Sequence, residues 1–467
     1  MIERGFNEQL GVGSVLKPDK QTTCSLMTKL WALGFILEPF LYFVLFDRTQ
    51  AGVTIGIARA FQLLFLLYLS LHLLSGRALL ISQKASKILK PIYLFFIGTI
   101  FYALILLSIK TIMNIDLIKD YSSFSDLLNG LYFRPYLEIA ILSYQLIYFI
   151  VMPSIMLRTK ADFDFLFRVS SVLLILHFSL GWVDYILSGT GFDLLARHFH
   201  DGIFVGQRFH GLAGEPRDAA VLILSLFLFY AIYSFYRHGQ VRSFSLPLNA
   251  LLIVSLIATF SASGMLAIIF GSILYVVYGA KELKIKNLFN YLLILLSIAI
   301  IFAASFWFSG RVLVYYDLYS SLIFELIADP FQDLPRIVLS SYNNFFPIIM
   351  MFNDIMSGNI LVLLFGYGLG SSGQVNALIY SEYLNPNSQI IRFLYEFGLV
   401  GTLIFIYSLF YVVRRATQSF SVIDAKRIKL YLIIALGAFF AHRGYSVYMW
   451  VGLLVSVVNY RLYYLKP

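Results

Sequence analysis

Long apolar runs broken at intervals by short polar clusters make up most of the chain. Runs of helical membrane length cover 30–46, 53–75, 91–109, 136–157, 165–188, 216–236, 246–260, 264–280, 288–308, 388–412, 430–443 and 445–461, against the ~20 residues an ordinary span needs. They predict about twelve transmembrane helices and an all-α polytopic fold. The ten-residue alternation of an outer-membrane barrel is absent. Several runs are short for a span, which fits helices that flank a water-filled cavity.

Composition sharpens this picture. At 60% hydrophobic and 13% charged residues, the sequence excludes a soluble globule, and 1–467 reads as one transmembrane domain. The single cysteine, Cys24, excludes a disulfide framework and a cysteine-based metal cluster. The polar first 25 residues exclude a cleaved signal peptide, so the first helix must direct insertion. No internal repeat or low-complexity tract is visible.

Charge sets the expected orientation. One set of loops holds Arg77, Lys84, Lys87, Lys90, Arg158, Lys160, Arg237, Arg242, Lys281, Lys284, Lys286, Arg414, Arg415, Lys426, Arg427 and Lys429, and the positive-inside rule makes those loops and both termini cytoplasmic. The opposite side receives 110–135, 189–215 and 309–387, the last a large external loop whose apolar stretches predict short interfacial helices. On that side lie only two lysines, Lys110 and Lys119, against ten arginines: Arg48, Arg59, Arg134, Arg197, Arg208, Arg217, Arg311, Arg336, Arg392 and Arg443. Arginine grips phosphate with a planar fork where lysine offers a point charge, so the bias points to an external anion site. The competing reading is that topology depletes lysine and the arginines snorkel or pair. The net charge of +10 is mostly topology signal and gives no support to nucleic-acid binding.

The densest polar cluster is Arg208-Phe-His-Gly-Leu-Ala-Gly-Glu-Pro-Arg-Asp-Ala-Ala220, at the lip of an apolar run. Desolvating each of its charges costs at least ~2.5 kcal/mol unless it is paired or serves a ligand. Other ionisable groups gather at the outer ends of helices: Arg59, Glu138, Asp184, Arg392 with Glu396, and His442 with Arg443. Their shared depth predicts one external basic cavity. Arg392 and Glu396 lie i,i+4, so an intrahelical pair competes with a site role. His177, in mid-span, reads as a hydrogen-bonded packing residue, and Glu38 before Pro39 as a paired carboxylate at a kink. Gly366-Tyr-Gly-Leu-Gly370 lacks the strand and the lysine of a phosphate loop and reads as a flexible turn before the helix start at Asn385-Pro386-Asn387-Ser388. No pattern for metal hydrolysis or serine chemistry is present.

Three segments together resemble the O-antigen polymerase and ligase superfamily, the lipid-linked glycan transferases of bacterial envelopes. Arg208 through Ala220 is similar to its Arg, Gly, Glu/Asn-Pro segment entering a helix. Phe260-Ser-Ala-Ser-Gly264 is similar to its serine-rich break between short helices. The third likeness runs from Phe365 to Gly370 and from Asn387 through Arg392 and Glu396 to Gly401. With the topology, the likeness covers roughly the C-terminal 270 residues. Ligases of the superfamily typically carry an arginine in the serine-rich break and a histidine opening the third motif; Ser263-Gly264 and Asn387 stand there here, which favours the polymerase branch.

The resemblance implies a GT-C-like architecture in the bacterial inner membrane and a glycosyltransferase that needs no cofactor, metal or nucleotide. Its donor would be a glycan on undecaprenyl pyrophosphate, its acceptor a lipid-linked repeat unit, and its partners membrane lipid and a chain-length regulator. Such chemistry needs fixed cations for the departing pyrophosphate and a general base for the acceptor hydroxyl. Arg208 is the first candidate cation, with Glu215 and His210 as candidate bases. A carboxylate beside Pro216 also suits a helix N-terminus without catalysis. Arg217, Arg392, Glu396, Arg59, Arg443 and Asn387 are the candidate substrate-binding residues. The alternatives are an O-antigen ligase acting on a lipid A core sugar, and a lipid-linked oligosaccharide flippase. A flippase should carry charges near the midplane on inverted repeats.

Overall fold

The computed structural model describes residues 24–46, 55–76, 81–112, 133–192, 194–195, 208–242, 244–261, 264, 336–373, 375, 386, 388–441 and 446–464. Among these the architecture is helical apart from one two-stranded antiparallel ribbon, β1 (Val44–Phe46) against β2 (Ile55–Gly56). The helices are α1 (Leu26–Ile36), α2 (Ile57–Leu74), α3 (Gln83–Ile112), α4 (Phe133–Gln145), α5 (Met152–Met156), α6 (Lys160–Ser188), α7 (Pro216–His238), α8 (Leu246–Ala258), α9 (Arg336–Met356), α10 (Ile360–Phe365), α11 (Gln389–Ala416), α12 (Val422–Ala441) and α13 (Ser446–Tyr464). A π-helical segment, Leu146–Val151, joins α4 to α5.

Among the described residues six segments are long and apolar enough to cross a membrane: Ile57–Leu74, Gln83–Ile109, Tyr136–Met156, Lys160–Ser188, Pro216–His238 and Gln389–Ser419. Shorter apolar helices occupy Leu26–Ile36, Leu246–Ala258, Phe346–Met356 and Val447–Leu462. The spans expected at 264–280 and 288–308 lie outside the described residues. In the segment assigned to a large loop, α9 runs for 21 residues through Pro347, longer than the short helices predicted there, while α10 is six residues.

Local chemistry explains the boundaries. The run at 30–46 is helical only to Ile36, because Pro39 lacks an N–H and restricts the residue before it; the chain turns at Phe40–Tyr42 and enters β1. Thr159 and Asp162 form a reciprocal capping box that starts α6. Pro216 sits in the first turn of α7, and Gly239 closes it in the left-handed conformation at φ 73°.

The helices carry apolar side chains on their outer faces as well as in the core, and several polar side chains are buried. On α2, Leu63, Leu67, Leu71 and Leu74 are exposed while Gln62 is buried; on α6, Ile175 and Ile186 face outward while His177 and Asp184 are buried. Apolar stripes facing out and polar side chains facing in suit a lipid solvent. The centre of the bundle is α13, whose Val447, Met449, Val451, Leu453, Leu454 and Val455 are fully buried. It packs against α7, α11 and the π-helical segment. At Gly452 the helices come so close that a Cβ would lie 3.0 Å from the Ile150 Cα.

Candidate functional site

The Arg208–Asp218 segment folds as a compact plug between α6, α7 and the end of α8. Its Gly211–Ala213 stretch is a 3-10 turn that packs on α6. Gly211 is left-handed at φ 50°, and a side chain there would lie 2.7 Å from the His177 carbonyl oxygen and 2.8 Å from its ring. The Leu212 N–H donates to His177 Nδ1 at 3.1 Å, so His177 is a buried acceptor that fixes the turn, as a packing role requires. Phe209 stacks on Phe178 and meets Trp182, and Trp182 donates to Ser255 Oγ at 2.9 Å.

Two of the predicted side chains are held tightly in this plug. Arg208 donates from Nε to the Thr259 carbonyl at 3.0 Å and from Nη2 to the Phe260 carbonyl at 3.1 Å. The adjoining Phe209 N–H donates to Ala258 O at 2.8 Å. Phe260 is the one non-glycine residue with positive φ, 44°, among the described residues, a conformation that costs ~1–2 kcal/mol. Arg208 thus anchors a strained turn at the start of the serine-rich break. His210 is buried, with Nε2 3.2 Å from the Asp184 carboxylate. The other Asp184 oxygen accepts from the Leu195 N–H at 2.7 Å.

Glu215 occupies the N-cap of α7 in extended geometry, but its side chain makes no capping bond. It is ion-paired with Arg217 Nε instead, and Asp218 is the acidic residue of the first turn.

A second node forms where α11 breaks. Gly398 adopts φ 63°, ψ −171° inside α11, which frees the carbonyls of the preceding turn. The Gly366–Gly370 segment supplies their partners: Tyr367 N–H donates to Tyr395 O at 2.8 Å and Gly368 N–H to Glu396 O at 2.9 Å. The two backbones cross so closely that a Cβ on Gly366 would lie 2.6 Å from the Gly398 nitrogen. The glycine motif is therefore a docked clamp on α11, not the flexible turn its composition implied. Tyr367 stacks on Tyr395 at 4.3 Å and bonds Asp354 through its hydroxyl. Burial, with the Asp354 carboxylate next, pushes the Tyr367 phenol above its ordinary range.

Just before the break, Arg392 reaches Glu138 on α4 at 2.6 Å and Glu396 at 3.2 Å. Ser372 Oγ donates to Glu396 at 2.7 Å. Both carboxylates are buried. The i,i+4 pair is real, and Glu138 makes it an interhelical network.

The third node is Arg59, which bonds Glu38 at 2.8 Å and Gln62 at 2.7 Å, with Gln62 in turn 2.6 Å from the other Glu38 oxygen. Two segments tie the nodes together. After Glu38, the Phe40 ring meets His177 at 5.9 Å and the Tyr42 N–H donates to Leu212 O at 3.1 Å. On α4, Glu138 serves Arg392 while the Tyr144 ring lies 6.0 Å from the Arg59 guanidinium.

Arg208, His210, Glu215 and Arg217 thus share one plug, Arg392 and Glu396 share the broken helix, and Arg59 sits beyond. Each of the paired cations has its own carboxylate, so the set is three linked nodes rather than one ring of cations. Asn387 and Arg443 lie outside the described residues, as does the side chain of Arg336. Sequence reasoning missed Gln62, Ser372, Tyr102, whose hydroxyl donates to Phe365 O at 2.7 Å, and the Asp354–Tyr367 pair. Polar residues on apolar helices were the available signal for Gln62 and Tyr102. Among the described residues no group of three or more His, Cys, Asp or Glu gathers as a metal site. No protein-family model matches the chain, and searches of curated proteins and of solved structures find no match.

Proposed function

We propose that this chain is a polysaccharide polymerase of the O-antigen polymerase and ligase superfamily, a GT-C-like glycosyltransferase of about twelve spans with both termini cytoplasmic. It moves a glycan from undecaprenyl pyrophosphate onto a lipid-linked repeat unit at the external face of the bacterial inner membrane. The observation that carries the reading is the contact between two separate motif segments: Arg208 grips the carbonyls of Thr259 and Phe260. A guanidinium fixed at a strained turn is preorganised, and a preorganised charge is what a developing pyrophosphate leaving group requires.

In this mechanism Arg208 orients and stabilises the departing lipid pyrophosphate, with Arg217 and Arg392 supporting it. Glu215 or His210 accepts the proton of the acceptor hydroxyl. Arg59, Asn387 and Arg443 bind the lipid-linked substrates, Glu396 holds Arg392 in position, and a chain-length regulator acts as partner.

The test is Arg208→Ala against Arg208→Lys in cells at matched protein level, reading lipid-linked glycan length. Loss of one preorganised donor costs ~2.7–4 kcal/mol, or ~100- to 1,000-fold in rate. Single repeat units should accumulate in both variants, because lysine keeps charge but loses the fork. Wild-type chain lengths in Arg208→Ala would remove Arg208 from the mechanism. In a deletion strain, free polymer would indicate a ligase and absence of external glycan a flippase.

A further inference from the structure

A second basic site lies at the far end of α7. This helix is 23 residues long, so its two ends are ~35 Å apart, slightly more than the ~30 Å hydrocarbon core of a bilayer. At the end away from Glu215 and Arg217, an open cavity of about 810 Å³ is lined by Arg242, Arg427, Arg461, Asp424, Phe420 and Ile423, among others.

Its arginines differ from those of the candidate site. Arg59, Arg217 and Arg392 are each ion-paired, whereas none of Arg242, Arg427 and Arg461 is in an ion pair among the described residues. Backbone carbonyls position two of them: Arg427 Nη1 donates to Val241 O at 2.5 Å and Arg461 Nε to Tyr236 O at 3.0 Å. The single carboxylate of the lining, Asp424, is buried and engaged by the Val241 N–H at 2.9 Å and Ser421 Oγ at 2.8 Å. Left-handed Gly239 gives the Arg461 guanidinium its room, since a Cβ would collide with Nη1.

Held guanidiniums without carboxylate partners, around an open cavity, form a receptor for a phosphate group. The rim is apolar: Val422 and Ile423 are 72% and 64% exposed. We propose that this pocket binds the phosphate diester headgroup of an acidic phospholipid, with the acyl chains running along the exposed Val422 and Ile423. The proposal rests on the membrane reading of the helices and is independent of the transferase reading.

The experiment uses the full chain in detergent, titrated with phosphatidylglycerol, phosphatidylcholine or inorganic phosphate while thermal unfolding is followed. Phosphatidylglycerol should raise the unfolding temperature in a saturable way. Arg242→Glu should weaken its apparent affinity about tenfold or more, since it removes a guanidinium from the phosphate pocket and sets a carboxylate in its place. Arg242 is exposed, so the variant keeps the fold. Arg414→Glu, an exposed cation outside the cavity with the same change in charge, should leave the affinity unchanged. Equal weakening by both variants would mean diffuse surface attraction and overturn the site. Equal stabilisation by phosphatidylcholine would overturn it too. Inorganic phosphate as effective as the lipid would overturn the lipid as occupant and leave a free-phosphate site.

Discussion

Replacing Gly398 by alanine adds a methyl group where α11 breaks and the glycine clamp crosses it. Two costs are separable. The backbone at φ 63° penalises any L side chain by ~1–2 kcal/mol, and the new Cβ would meet the Leu364 carbonyl and lie 2.5 Å from the Phe365 nitrogen. Those atoms are main chain and cannot rotate away, so overpacking adds ~1–3 kcal/mol. The expected destabilisation is therefore ~2–5 kcal/mol. Gly76 isolates the first cost: its φ is 75°, and nothing lies within 4 Å of its Cβ position. Gly98, inside α3, has equally open surroundings and no positive φ, so alanine there should be neutral or stabilise by ~0.5–1 kcal/mol. Thermal unfolding of the three purified variants in one detergent should rank Gly98→Ala at or above wild type, Gly76→Ala below it, and Gly398→Ala lowest. If Gly398→Ala unfolds no lower than Gly76→Ala, the two backbones do not cross as described.

Three further outcomes follow from the buried polar contacts. Arg392→Gln takes the cation from two buried carboxylates and should cost ~3–5 kcal/mol; Arg59→Gln should cost less, because Arg59 serves one carboxylate and its side chain is 38% exposed against 15% for Arg392. Unfolding temperatures of the two variants decide this, and the reverse order would refute it. Gly211→Ala drives a methyl into His177, so it should lower the unfolding temperature and the yield of folded protein, with wild-type behaviour counting against the plug geometry. Trp182→Phe loses the hydrogen bond to Ser255 and should cost ~1 kcal/mol, a loss that Ser255→Ala in the same background should not enlarge.

How far the sequence was legible depends on the range of the interaction. Helical runs and the starts at Pro216 and Ser388 follow from local rules of period and turn chemistry, whereas the capping box at Thr159 begins its helix five residues before the run read at 165–188. The Arg392–Glu396 pair is likewise written in its i,i+4 spacing. Glu138 and Ser372, 254 and 24 residues from their partners, carry no such local mark. The glycine clamp shows the limit best: Gly366-Tyr-Gly-Leu-Gly370 looks like any turn until Gly398 is known to break a helix against it. Pro39 was visible, but its effect on the run at 30–46 depends on tertiary contacts: the Tyr42 N–H finds Leu212 O, so the chain is held in a turn instead of resuming the helix.

The placement of α13 also bears on how the protein is made. The helix that fills the centre of the bundle packs against the π-helical turn and α5, where Ser154 and Ser456 are hydrogen-bonded 302 residues apart. At the ~5–20 residues per second of ribosomal synthesis, that central helix emerges ~15–60 seconds after the groove that receives it. During that interval the groove around Phe149, Ile150 and Gly452's future position lies open in the bilayer. Side chains that finish as core begin as a temporary lipid-facing surface, and a polar member among them, Ser154, waits there without its Ser456 partner. Assembly of this bundle is then limited by the order of translation, and not only by the strength of its contacts.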